Sequence, residues 1–133
     1  DTDKEKIEMA KKYYKDKNLE FIYGDAFVIK PFKADVIILS NVLEHIEDRK
    51  NFLININKRF RPSLFLIRVP DFERDWTIPF KKEIGINYFS DSTHFIEHTE
   101  RDFRKEMKNA GLKITSLQKN WSEIWATCES KIG

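Results

Sequence analysis

Two short runs of large apolar residues, Val36–Leu39 (VIIL) and Leu64–Ile67 (LFLI, continuing to Val69), constrain this chain more than any other feature. Neither run alternates with polar residues, as a strand with one wet face would. Each therefore reads as a strand covered on both faces, the pattern of a parallel sheet. Parallel strands cannot be joined by a tight turn, so the residues between the runs must cross over the sheet. Asp48 there is placed to cap a helix whose apolar residues Phe52, Leu53, Ile56 and Phe60 share a face. Strand, helix and strand in that order form one right-handed crossover unit.

The flanking segments extend the pattern. Asp3 caps a predicted helix from about Lys4 to Asp16, with Ile7, Ala10 and Tyr14 as its buried stripe. Leu19–Tyr23 reads as a further strand ending in a turn at Gly24–Asp25. From Pro70 to about Thr99 the periodicity dissolves, and a stretch this long without clear structure reads as a functional loop. A capping signal at Thr99 then opens a helix with Phe103, Met107 and Ala110 on one face and Gly111 at its exit. Leu112–Leu117 and Trp121–Cys128 read as two strands of a hairpin turning at "QKN". Trp121 and Trp125 then share a face, which favours core or interface packing. The result is an α/β fold, with helices on a mostly parallel sheet that ends in an antiparallel hairpin.

Composition narrows the function. The 133 residues suit one domain, and 35% of them are charged, yet the net charge is only +2. Such balance speaks against a dedicated nucleic-acid surface, which concentrates Lys and Arg on one face. No apolar run approaches the roughly 20 residues that span a bilayer. The single cysteine, Cys128, excludes an intramolecular disulfide and suits a reducing, cytoplasmic compartment. The four glycines, Gly24, Gly85, Gly111 and Gly133, lie far apart, so no glycine-rich phosphate loop exists within these residues.

Several stretches together resemble class I S-adenosylmethionine-dependent methyltransferases of the broad small-molecule (type 11-like) kind. "DTDKEKIEMAKKYY" resembles the segment after the family's second strand, with Asp1 on the acid that binds the ribose hydroxyls. "YGDA" resembles the turn after the third strand, with Asp25 and Ala26 at the adenine. "ADVIILSNVLEHIED" resembles the fourth strand and its loop. "DSTHFIEHTERDFRKEMKNAGLKI" resembles the approach to the last helix and the sixth strand, and "NWSEIWATCE" the closing seventh strand. The resemblance implies a Rossmann-like sheet of order 3-2-1-4-5-7-6. The family's first strand and glycine-rich loop have no counterpart in these residues. The expectation is therefore an N-terminally truncated domain, residues 1–133 being its carboxy-terminal two-thirds. Its fourth strand, left as an exposed edge, would drive rearrangement, strand swapping or dimerisation.

Open parallel sheets bind ligands beyond the carboxyl ends of their strands. The expected S-adenosylmethionine contacts are accordingly Asp1, Asp25, Ala26, Ser40 and Asn41. Asp25 is equally suited to ordinary turn chemistry, and Ser40 and Asn41 to satisfying the strand end. Glu44 and His45 either form a solvated first helical turn or face the acceptor, His45 then serving as a general base. His94 is the second candidate base, while a capping or surface role is the plainer reading for His94 and His98. Glu44, Trp76 and His94 are the expected acceptor contacts, and segment 71–98 the acceptor-selecting segment. No Cys, His or acid pair shows metal-ligand spacing, so no metal is expected. The family's Pro-Pro-Tyr or Pro-Pro-Phe signature for planar amino groups is replaced by "SNVLEH", which disfavours such acceptors. That leaves a small-molecule or glycan-like acceptor. The competing function is a non-catalytic α/β module for protein interaction or dimerisation.

Overall fold

The computed structural model describes residues 1–130. They fall into two compact units, one of residues 1–32 and one from Lys33 onward.

In the first unit, α1 (Lys4–Tyr13) begins at Asp3, whose side chain accepts from the Lys6 amide. Ile7 is buried, but Tyr14 lies beyond the helix and is exposed, so the apolar stripe is shorter than the periodicity implied. The expected strand Leu19–Tyr23 does not form. A strand needs a ladder partner, and the segment has one residue's worth. The amino group of Asp1 donates to the Ile22 carbonyl (3.1 Å), and Gly24 N–H donates to the Asp1 carbonyl (2.9 Å). That pair of bonds is the repeat unit of a parallel ladder, stopped after one step. Gly24 is required at the adjoining turn. Its φ is 151°, and a Cβ there would meet Ile29 Cγ2 at 2.9 Å.

The second unit is a four-stranded sheet of β1 (Val36–Ser40), β2 (Leu64–Pro70), β3 (Leu112–Asn120) and β4 (Glu123–Ser130), in the order β1-β2-β4-β3. β1 and β2 are parallel, with Leu39 opposite Ile67. β4 is antiparallel to both its neighbours. Mapped onto the implied order, these are strands 4, 5, 7 and 6, so the sheet is not rearranged. α2 (Arg49–Phe60) makes the crossover from Asp48, which caps Asn51 N–H, and ends at Arg61 in the left-handed region. α4 (Glu100–Asn109) starts at Thr99, whose hydroxyl accepts from Asp102 N–H and donates to its carboxylate. It packs on β3 and α2.

The core lies on one face of this sheet. Leu39, Phe65, Ile67, Val69, Ile124, Ala126 and Cys128 are buried there, as are Leu53 and Ile56 of α2 and Phe103 and Met107 of α4. The expected cover on both faces is not found. Ile38 is 67% exposed and Leu66 38%, on the face where Arg68 stacks over Trp125 at 5.2 Å. The apolar runs of β1 and β2 are thus covered on one face, and on the other Ile38 and Leu66 stay exposed. Among the described residues β1 pairs only with β2, and its outer edge is open.

Two further expectations shift. The hairpin turns at Trp121–Ser122, both at positive φ (49° and 67°), with Asn120 opposite Glu123; "QKN" belongs to β3. A two-residue turn of this hand matches the strand twist. Trp121 is consequently at the tip and 84% exposed, with its ring edge-on to Trp125 at 6.0 Å, and is not a core residue. Segment 71–98 is also not wholly irregular. It holds α3 (Thr77–Glu83), with Pro79 in its first turn where the missing N–H is harmless.

Candidate active site

β1 ends at Ser40, and the chain turns sharply at Asn41, whose φ is 51°. Asparagine is among the few residues that tolerate this conformation. Its N–H still donates to the Arg68 carbonyl (3.0 Å), which extends the β1–β2 ladder by one bond. Both side chains are exposed at the carboxyl end of a parallel pair. A 3₁₀ turn, Leu43–His45, comes next. Leu43 is fully buried and drives the turn inward, carrying Glu44 with it.

Glu44 was expected to face solvent or the acceptor; it is 1% exposed, and neither carboxylate oxygen has a hydrogen-bond partner among the described residues. Loss of solvent pushes its carboxyl above the ordinary 4.5. His45, next along, is exposed.

The segment after α3 folds onto this turn. Phe95 N–H donates to the Glu44 carbonyl (2.8 Å) and ties the two loops together. The Thr93 hydroxyl lies 2.8 Å from His45 Nδ1 and donates to Asp91 Oδ1 (2.6 Å). The His94 ring meets that of His45 edge-on at 4.7 Å. One ligand-type atom from each of Glu44, His45 and His94 lies within 4.8 Å of those of the other two.

Beneath His94 sits Glu97, its side chain fully buried. It accepts from His94 Nδ1 (2.9 Å), Arg74 (2.6 Å), and the Ser90 N–H and hydroxyl (2.8 Å each). Burial alone would raise its pKa; these hydrogen bonds outweigh burial and hold it below the ordinary value. A half-buried acid, Glu106 of α4, binds Arg49 of α2 (2.6 Å) and His98 (3.3 Å) and is likewise held low against its burial. His98 is fully buried against Phe103, so neither a surface nor a capping role applies to it.

Of the residues singled out from sequence, Ser40, Asn41, Glu44 and His45 lie within six positions at the end of β1, and the fold adds His94 to Glu44 and His45. Trp76 stands on a separate element, at the start of α3, 74% exposed with its ring 5.9 Å from Phe80. Asp1 and Asp25 belong to the first unit. Asp25 makes a local turn, accepting from Phe27 N–H (2.7 Å), beside half-buried Ala26. Thr93, Ser90, Arg74 and Glu97 were not anticipated. "DST" carried a readable turn signal, since Asp91 accepts from Thr93 N–H (2.7 Å). Nothing local marks Glu97 as buried.

The sequence profile of a family described as "Methyltransferase domain" matches residues 1–117. A comparison with curated protein sequences found no match. Among solved structures, the chain is similar to a putative methyltransferase from Haloferax volcanii, solved in complex with the Trm112 methyltransferase activator. The identity is 14% and the TM-score 0.74, over 98% of this chain and 70% of that one. An S-adenosylmethionine-dependent methyltransferase from Clostridium acetobutylicum gives 13% and 0.68, over 98% and 73%. Magnesium protoporphyrin IX methyltransferase from Synechocystis, solved with bound SAH, gives 17% and 0.57, over 83% and 50%. The chain spans only part of each such protein, down to 16% of a small RNA methyltransferase. No helix among the described residues is long and apolar enough to cross a membrane. With the family profile running through both units and the strand order agreeing, the chain belongs to the methyltransferase domain family, of the class I S-adenosylmethionine-dependent kind.

Proposed function

We propose that the protein transfers a methyl group from S-adenosylmethionine to a small-molecule or glycan-like acceptor beyond the carboxyl end of β1. The observation that carries this reading is the pairing of two loops there. The turn after β1 and the segment 90–98 are bound through Phe95 and Glu44 and through Thr93 and His45, and they gather one acid and two imidazoles. In the second unit Ser40 and Asn41 offer the cofactor an exposed hydroxyl and amide at the strand end. The first unit's own candidates, for ribose and adenine, are Asp1, Asp25 and Ala26. When bound, the cofactor supplies a methyl group already activated on a sulfonium. The protein's share is then mainly orientation, together with removal of a proton where the acceptor carries one.

Exposed His45 is suited to take that proton. Its Nδ1–H is held by Thr93, which leaves Nε2 as the basic atom. His94 orients from the side. Segment 71–98, with Trp76 exposed beside Phe80, would select the acceptor. We place the protein in the cytoplasm, in keeping with its lone, free cysteine, and read residues 1–133 as part of one methyltransferase domain. The open edge of β1 with exposed Ile38 beside it suits a second copy of the chain.

The test is calorimetric titration with S-adenosylhomocysteine, in the protein carrying whatever natural residues precede Asp1, with Asp25→Ala and Asn41→Ala alongside. Saturable heat that weakens in the variants supports the reading. No heat and no change in melting temperature would refute it and leave the interaction module in its place.

A further inference from the structure

We propose that Glu44, His45 and His94 bind a divalent first-row transition-metal ion, such as Zn²⁺, Mn²⁺, Fe²⁺ or Co²⁺. Sequence spacing spoke against any metal, because the third ligand lies 49 positions from the second. The fold removes that objection. The three ligand atoms lie within 4.8 Å of one another; bonds of about 2.0–2.2 Å to one central ion need them within about 4.4 Å, which a small side-chain rotation supplies.

An independent observation points the same way. Glu44 is 1% exposed with both oxygens unpartnered among the described residues, although nearly every buried carboxylate finds a donor or a counter-charge. A cation beside the two imidazoles would relieve that burial.

The histidines are also set in the form a metal needs. The Thr93 hydroxyl gives its proton to Asp91, so its oxygen must accept from His45 Nδ1–H. Glu97, an ionised acceptor, likewise takes His94 Nδ1–H. Both rings therefore keep Nε2 as a lone pair. Fixing each imidazole through its other nitrogen is how proteins orient histidine ligands, and Arg74 in turn anchors Glu97 at 2.6 Å. Two imidazoles and one carboxylate favour transition ions over Mg²⁺ or Ca²⁺, which prefer oxygen donors throughout. Exposed His45 leaves one side of the site open to an entering ion and to further ligands.

The proposal shares His45 Nε2 with the proton removal proposed above, since an ion bound there takes the lone pair that would accept the proton; its test uses no cofactor and reads the metal alone. Tag-free, chelator-stripped protein, shown folded by far-UV circular dichroism, is titrated with Co²⁺ while visible d–d absorption is recorded. Zn²⁺, Mn²⁺ and Mg²⁺ then compete. One saturable equivalent is expected, displaced by Zn²⁺ and poorly by Mg²⁺. Glu44→Gln and His45→Ala should each weaken it at least tenfold, and Thr93→Val, which removes no ligand but only the hydroxyl that joins His45 to Asp91, by about tenfold. His45 and Thr93 are surface substitutions, so their loss of binding is not a loss of fold. Folded wild-type protein with no saturable absorption up to millimolar Co²⁺ would overturn the proposal. So would binding that all three variants retain unchanged.

Discussion

Glu97→Gln should loosen the anchor of segment 90–98 at a measurable cost. The glutamate side chain is fully buried and Arg74 beside it is 15% exposed, so the pair is shielded from most screening. Gln keeps the shape but removes the charge. Ser90 N–H, the Ser90 hydroxyl and His94 all share Oε1, so a Gln oxygen there keeps those three bonds and turns the NH₂ at Arg74, which loses its acceptor on Oε2. Removing one partner of a buried pair costs about 3–5 kcal/mol. Arg74 retains some water and a second bond to the Asp71 carbonyl (2.8 Å), which places the expectation at the low end, about 3 kcal/mol. With a urea m-value of about 1.5 kcal/mol/M, the midpoint should fall by about 2 M. The assay is urea unfolding monitored by circular dichroism, with Arg74→Met and the double variant completing a cycle. The double variant should be less destabilised than the sum of the singles by about 2 kcal/mol. A midpoint shift below about 0.5 M at unchanged m would refute the claim that this carboxylate is ionised and buried.

The remaining expectations are simpler. Glu44→Gln should stabilise the metal-free protein at neutral pH. Because burial raises the Glu44 pKa in the folded state, its favourable contribution is complete below the ordinary 4.5 and is lost as pH rises through the folded value. The stabilisation should therefore vanish in melts taken below that pH. Glu97 and Glu106, held low, run the other way: their stabilisation is present above the ordinary value and lost as pH falls through the folded one. Melting curves from pH 3 to 8 should show that acid limb in wild type and a weaker one in Glu97→Gln. Phe65→Ala, at a fully buried position in the middle of the sheet, should cost about 3–5 kcal/mol by denaturant titration. Ile38→Lys should lower self-association in light scattering across a concentration series, because it charges the apolar surface beside the open edge of β1.

Much of the architecture was legible because its signals are local. Apolar runs, capping residues and helical spacing located β1, β2, α2 and α4, since each depends on side chains within a few positions. Leu19–Tyr23 carried the same strand signal and failed, because strand formation depends on a partner and not on propensity alone. The hairpin turn was misplaced for a related reason: Trp121 and Ser122 occupy positive φ without the glycine or asparagine that usually announces it.

The site divides along the same line. The sequence alone was enough to put Ser40, Asn41, Glu44 and His45 at the end of a buried strand, because a residue adjacent to a strand in the chain stays adjacent to its end in space. Only the tertiary structure brought His94 to Glu44 and His45, buried Glu44 without a partner, and set Glu97 and Thr93 behind the two imidazoles. These are contacts between loops 49 positions apart in the chain, and their burial and protonation depend on which loops close over them. No spacing rule contains that information, because distance along the chain ceases to limit distance in space once the chain has folded.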